Sequence, residues 1–264
     1  MKKLIVCVLL LSLLLCGCTA KQWEADPALF EYPGLKWGMK SEDVQTVLGY
    51  SNAVLGNTEI LNEGTENEFK VHWYSIGKVE MFGLPTSLVI LRFMEYPGCT
   101  PGLCGIRICF PDGYGGGPTT DMEAVKAMLF EQYGAPRESY TMPSWDWKQG
   151  TLHERQSKVE QKEDNTVWYS AVTGDQLLSD EQMEKLYGLM TEKWAAEGHD
   201  HVPTLEQYRQ LRAAPAATMY LRTFYILRDH PLTGEAREKG ATEFVLDISG
   251  GTVVDHLNVN RFFE

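Results

Sequence analysis

Three groups of residues in this chain have types and spacing that could do chemistry: the cysteine thiols, a His–Asp–His cluster and a tryptophan pair. Cys18 closes Leu15-Cys16-Gly17-Cys18, directly behind a short apolar run, where a thiol is open to covalent modification. Cys99, Cys104 and Cys109 follow at C-x4-C-x4-C spacing. That is not the C-x2-C pairing of zinc sites, and no His lies nearby in sequence. An exported chain permits a disulfide among these three. Leu103 to Phe110 reads as extended, which sets Cys104 and Cys109 about 16 Å apart at roughly 3.3 Å per residue. A disulfide spans only about 4.4–6.8 Å between Cα atoms. Cys99 and Cys104 instead flank Thr100-Pro101-Gly102-Leu103, a turn-forming sequence. Cys99–Cys104 is therefore the expected bridge, with Cys109 a buried thiol.

His199-Asp200-His201 is the densest set of metal-ligand types. Two His at i and i+2 on a loop share no face, and no third ligand is identifiable, so the cluster reads as a polar interhelical loop. Trp145 and Trp147 stand two apart on an expected strand and point the same way. Such a pair can stack on a sugar or anchor a protein partner, or it can form a core face under a helix. No Gly-x-Ser-x-Gly elbow occurs. The glycines at 113, 115, 116 and 117 lack the Gly-Lys-Ser/Thr ending of a phosphate loop, and they read as a linker. No catalytic residue, cofactor or metal site is expected.

The address is clearer than the chemistry. Lys2 and Lys3 form a basic start, Leu4 to Leu15 are apolar except Ser12, and Gly17 precedes Cys18. This is the layout of a secretory signal peptide, and the run is shorter than the roughly 20 residues of a bilayer span. Leu15-Cys16-Gly17-Cys18 resembles the lipobox of bacterial lipoproteins. The resemblance implies cleavage before Cys18, diacylglycerol on its thiol and acylation (palmitate-type) of its new amino terminus. The protein would then be exported and held on the cell membrane by lipid.

Of 264 residues, 247 remain after residue 17, enough for one large domain or two small ones. The chain has 24 basic and 36 acidic residues and a net charge of −12. Such an acidic body repels nucleic-acid phosphates and anionic headgroups, so no nucleic acid is expected as a partner.

The elements that must position these residues follow from capping and periodicity. Residues 18–33 read as a tether. Ser41 can cap a helix carrying Val44, Val47 and Leu48 and stopped by Gly49. Residues 52–67 read as loop. Strands are expected at 69–74, 79–82, 88–94 and 106–110. Thr120 with Glu123 makes a capping box for a helix carrying Val125, Met128 and Leu129. Strands follow around 145–147 and 167–172, with 153–165 a solvated hairpin tip or loop. Ser179 with Gln182 and Thr204 with Gln207 start two further helices, an inserted hairpin at about 178–213. The first helix carries the stripe Met183, Leu186, Met190 and Trp194, expected to dock on the parent sheet. Strands resume at 219–227, 243–248 and 253–259. The fold class is α+β with antiparallel sheets.

Gly38-Met39, Val44 and Leu48-Gly49 resemble the opening helix of the small lipoproteins that assist outer-membrane protein assembly, which share their layout with β-lactamase-inhibitor-protein-like α+β units. Lys40 stands where that pattern has Thr, and no Pro follows Gly49. A second helix ends in a similar way, Tyr133-Gly134-Ala135-Pro136. The resemblance implies two degenerate helix-plus-antiparallel-sheet units, 34–118 and 119–264, of a kind that binds proteins. It assigns no functional residue. The expected function is a non-catalytic envelope lipoprotein that binds or assembles a protein partner; the alternatives are an envelope-polymer hydrolase or a carbohydrate-binding module.

Overall fold

The computed structural model describes residues 24–63, 68–77, 79–111, 118–149, 157–196, 198, 201–228 and 240–254. Cys18 and the signal segment lie outside them. The fold is α+β. In chain order it comprises α1 (Ser41–Leu48), β1 (Ala53–Leu61), β2 (Phe69–Ile76), β3 (Glu80–Met81), β4 (Leu84–Pro85), β5 (Leu88–Glu95) and β6 (Gly102–Phe110). Then come α2 (Met122–Tyr133), β7 (Glu138–Gln149), β8 (Ser157–Tyr169), α3 (Asp180–Ala196), α4 (Leu205–Arg212), β9 (Thr218–Arg228) and β10 (Gly240–Ser249). The main sheet has eight strands in the order β1-β2-β5-β6-β10-β9-β8-β7, antiparallel throughout.

That order places a helix followed by four sheet strands twice, with the last strand of each set meeting at the centre. β6 pairs with β10 from Gly105↔Ser249 to Phe110↔Phe244. Apolar alternation explains the burial. Val89, Leu91, Ile106, Ile108, Leu246 and Ile248 occupy one face at no more than 1% exposure, and they belong to one core together with Val44 of α1 and Val125 and Leu129 of α2. Sheet and core run without interruption across the 118/119 boundary.

Several local expectations are corrected. The N-cap of α1 is Lys40, without a side-chain cap bond, and Ser41 is already helical. The α2 cap is Asp121 rather than Thr120. One carboxylate oxygen accepts from the backbone N–H of both Glu123 and Ala124, each at 3.1 Å, which a single hydroxyl capping box does less completely. The loop expected at 52–67 contains strand β1. Its residues are nearly all exposed, so no alternation marks it. Pairing with β2 makes it a strand, with a bulge at Gly56 between Leu55 and Asn57. Of the hairpin tip or loop expected at 153–165, residues 153–156 lie outside the described residues, and from Ser157 the chain is part of β8, a polar strand held between β7 and β9 on both sides. Of the strand expected at 253–259, residues 253–254 belong to a helical turn at 251–254, and 255–259 lie outside the described residues.

Residues 26–33 are packed structure rather than a loose tether. Asp26 caps a 3₁₀ turn at Pro27–Leu29, Phe30 is buried, and the chain continues through buried Leu35, Trp37 and Met39. The Trp37 ring lies on Gly250, where an added Cβ would come within 2.2 Å of it. Gly38 N–H donates to Leu103 O, and Leu103 N–H donates to Met39 O, both at 2.8 Å. Buried Glu31 clasps this strap. Its two oxygens accept from Asp26 N–H at 2.7 Å and Trp37 N–H at 2.9 Å. Burial pushes its carboxyl above the ordinary range even so.

Both hairpin capping boxes form, with reciprocal bonds between Ser179 and Gln182 and between Thr204 and Gln207. The α3 stripe does not dock on the sheet core. Met183 packs with Leu178 and Tyr208, against Leu186, Tyr187, Met190 and Leu205, in a separate cluster. Trp194 is half-buried.

Glu31→Ala should lower stability by about 1–3 kcal/mol, the cost of leaving buried donors without an acceptor, read as a drop in urea midpoint. Because the folded state binds the Glu31 proton more tightly than the unfolded chain, the charged form is disfavoured. The wild type should therefore lose ground against Glu31→Gln as pH rises upward from 4.5. A midpoint difference independent of pH would refute the burial effect.

Candidate functional site

The sheet face away from α1 and α2 carries charges inside otherwise apolar strands: Arg92 in β5, Arg107 in β6 and Asp247 in β10. Register brings them together. Arg107 sits directly opposite Asp247, and Arg92 sits opposite Gly105 of the intervening strand. Asp247 is 5% exposed and divides its carboxylate between the two guanidinium groups. Oδ1 accepts from Arg92 Nη2 at 2.6 Å, and Oδ2 accepts from Arg107 Nη2 at 2.7 Å and Nε at 3.1 Å. Arg92 Nη2 also donates to Ile248 O at 3.2 Å.

Gly105 makes this possible. A Cβ there would stand 2.4 Å from Arg92 Nε, so only glycine lets the guanidinium lie flat across β6. Trp73 of β2, paired with Arg92 in the ladder, completes the cluster. Its ring centroid is 5.6 Å from the Arg92 Cζ and 5.9 Å from that of Arg107, within cation–π range.

A second group continues along the same face. Arg222 of β9 lies over the Tyr220 ring at 5.0 Å and 3.9 Å from Glu163 of β8. The neighbouring Tyr220 and Glu138 side chains, Tyr220 foremost, push the Tyr169 hydroxyl pKa up. Trp73 Nε1, Arg92 Nε and Arg222 Nε are buried without a hydrogen-bond partner among the described residues. Partly buried Arg, Trp and Tyr on one face are the residue types of protein-binding hot spots.

Across β1, β2 and β5 a Thr–His–Glu chain forms. The Thr58 hydroxyl is 3.1 Å from His72 Nδ1, and His72 Nε2 is 2.5 Å from Glu95 Oε2. Its connectivity matches a nucleophile–base–acid relay. Thr58, however, is exposed, so the hydroxyl lacks the water-excluded surroundings in which oxyanion stabilisation is strong.

The sequence-derived candidates scatter. Trp145 and Trp147 lie in β7, facing Gln161 and Val159 in the ladder beyond a register shift; their side chains lie outside the description. His199 and Asp200 lie outside the described residues, among which no group of three or more metal-ligand side chains occurs. Cys99, Cys104 and Cys109 are not joined by a disulfide in this structure. The turn before β6 is Tyr96–Cys99, not Thr100–Leu103. Cys99 N–H donates to Tyr96 O at 2.9 Å, Gly98 takes φ +76°, and Gly102 already belongs to the strand. Cys99 is partly exposed, whereas Cys104 sits at a β6 bulge within the core. Burial pushes its thiol up to about 11. Cys109 is buried. The Arg92–Arg107–Asp247 group was not identified from sequence, although a charge in the middle of Leu-Val-Ile-Leu-Arg-Phe or Val-Leu-Asp-Ile is a signal that could have found it.

Asp247→Ala would leave two partly buried guanidinium groups without their carboxylate and should cost about 3 kcal/mol, the lower end of the range for breaking a buried pair. Gly105→Ala should displace Arg92 and destabilise by about 1–3 kcal/mol as an overpacking change. Unfolding midpoints check both, and a neutral Asp247→Ala would remove this cluster from the account of stability. In native protein at pH 8, iodoacetamide should modify Cys99 while sparing Cys104, because the thiolate is the nucleophile; peptide mass mapping reads the ratio, and equal labelling would contradict the burial of Cys104. No family model, curated protein or solved structure matches this chain in comparison.

Proposed function

We propose that this chain is a bacterial cell-envelope lipoprotein that is non-catalytic and binds a protein partner through the second face of its sheet. The anchoring half of this reading rests on the lipobox-like Leu15-Cys16-Gly17-Cys18 behind a signal-type segment. The binding half rests on one observation: two arginines organised by a single carboxylate beside a tryptophan, with Tyr220 and Arg222 beyond them. Guanidinium groups pre-oriented in this way lose little freedom on binding and can meet planar acceptors. The resemblance to assembly-assisting lipoproteins points the same way. The acidic body argues against nucleic acid as the partner.

A hydrolase is the second reading, and Thr58–His72–Glu95 is the observation that favours it.

Cys18→Ala should shift the protein from the detergent to the aqueous phase, and intact mass should show a lipidated chain starting at Cys18. Affinity capture from cross-linked cells should fall at least tenfold, on the order of 1.4 kcal/mol, for Tyr220→Ala and Arg222→Ala at unchanged melting temperature. Capture undiminished by both substitutions would sink the proposed face. Labelling by a fluorophosphonate that disappears in His72→Ala would instead support the hydrolase.

A further inference from the structure

We infer that the lipid on Cys18 holds one particular end of the molecule against the bilayer: the end formed by the Asp26–Pro33 strap and the C-terminus of α2. This rests on the lipid-anchor reading above and adds to it an orientation.

The argument is one of reach. Asp26 is the first strap residue tied down, through its N–H to Glu31 and its carboxylate to Ala28 N–H. The strap is then fixed to α2, because the Phe30 and Tyr133 rings meet edge to face at 5.6 Å and the Tyr133 hydroxyl donates to Glu31 O. Seven residues separate Cys18 from Asp26. Whatever their conformation, that length spans at most about 29 Å. A compact body of this chain length has a radius of gyration of about 18 Å and is about 46 Å across. A tether of that length is shorter than the body is wide, so the strap end is the one the anchor holds nearest the bilayer.

The topology says which end that is. α2 runs toward Gly134, where β7 begins, and β7 begins beside the end of β8. The α3–α4 hairpin joins β8 to β9 at this same end of the sheet. β1 begins at the other end, opposite Ile76, the last residue of β2. Glu24, Ala25, Glu31 and Gln132 line one cavity of about 720 Å³ on the strap side, which places Gln132 next to the point where the anchor enters. Its two carboxylates offer nothing to anionic headgroups, so the short anchor, rather than surface charge, imposes the orientation. The far end, where β1 begins, then projects away from the membrane.

The test uses lipidated full-length protein in phosphatidylcholine vesicles containing an acceptor dye on the headgroup. Donor dyes are placed at Gln132→Cys and, separately, at the exposed Val54→Cys, each in a Cys99→Ser background. Energy transfer should be at least threefold more efficient from position 132 than from position 54. A Gly/Ser spacer of about 30 residues inserted between Gln22 and Trp23 should remove most of that difference by lengthening the reach. Equal transfer from the two sites, or stronger transfer from position 54, in protein whose intact mass confirms the lipid would overturn the orientation and leave the anchor standing. An intact mass without lipid would overturn both.

Discussion

The antiparallel seam between β6 and β10 is the contact on which the rest of the molecule depends. It joins the last strands of two four-strand sets, so without it each set would end in a long, apolar, unpaired edge, the feature that leads sheets to associate. Period-two alternation makes the seam two-faced. Ile106, Ile108, Leu246 and Ile248 point into the core, while Arg107 and Asp247 face the other way. A one-residue slip would exchange the two sets and bury charge under α1 and α2. Register at the centre is therefore held strongly from both sides.

The charged side of the seam is costly to desolvate, and replacing buried ion pairs by apolar residues is often neutral or stabilising. What the Arg92–Asp247–Arg107 group supplies is position. Asp247 reaches across β6 to a residue of β5, three strands tied by one carboxylate, and Gly105 is the backbone gap that lets it happen. The surface that results carries oriented guanidinium groups beside an aromatic ring. Stability of the seam and chemistry of the candidate site thus reside in the same residues.

The N-terminal strap reaches the same seam. Trp37 rests on Gly250 just beyond β10, and Gly38 and Met39 exchange backbone bonds with Leu103 of β6. The strap thereby covers the seam's end and carries the entry point of the chain to a fixed place on the body. Glu31 holds its curvature through two backbone donors. The hairpin of α3 and α4 differs in kind. Its apolar residues bury against one another, so it is an appendage with its own small core.

The sequence by itself determined the elements whose signals are local. The capping boxes at Ser179 and Thr204, the left-handed Gly49 stop, the alternating strands β2, β5 and β6 and the α+β class were all legible, because each depends on residues within a turn or two of one another. Local signals failed where two residues competed for one role, as at Thr120 and Asp121, or where a neighbour strand makes the element. β1 and the polar half of β8 have no apolar period and are strands because β2 and β9 pair with them. The site was decided only by tertiary structure. Arg92 and Asp247 are 155 residues apart, and nothing local relates them; strand order brought them together, and a missing Cβ at Gly105 let them touch.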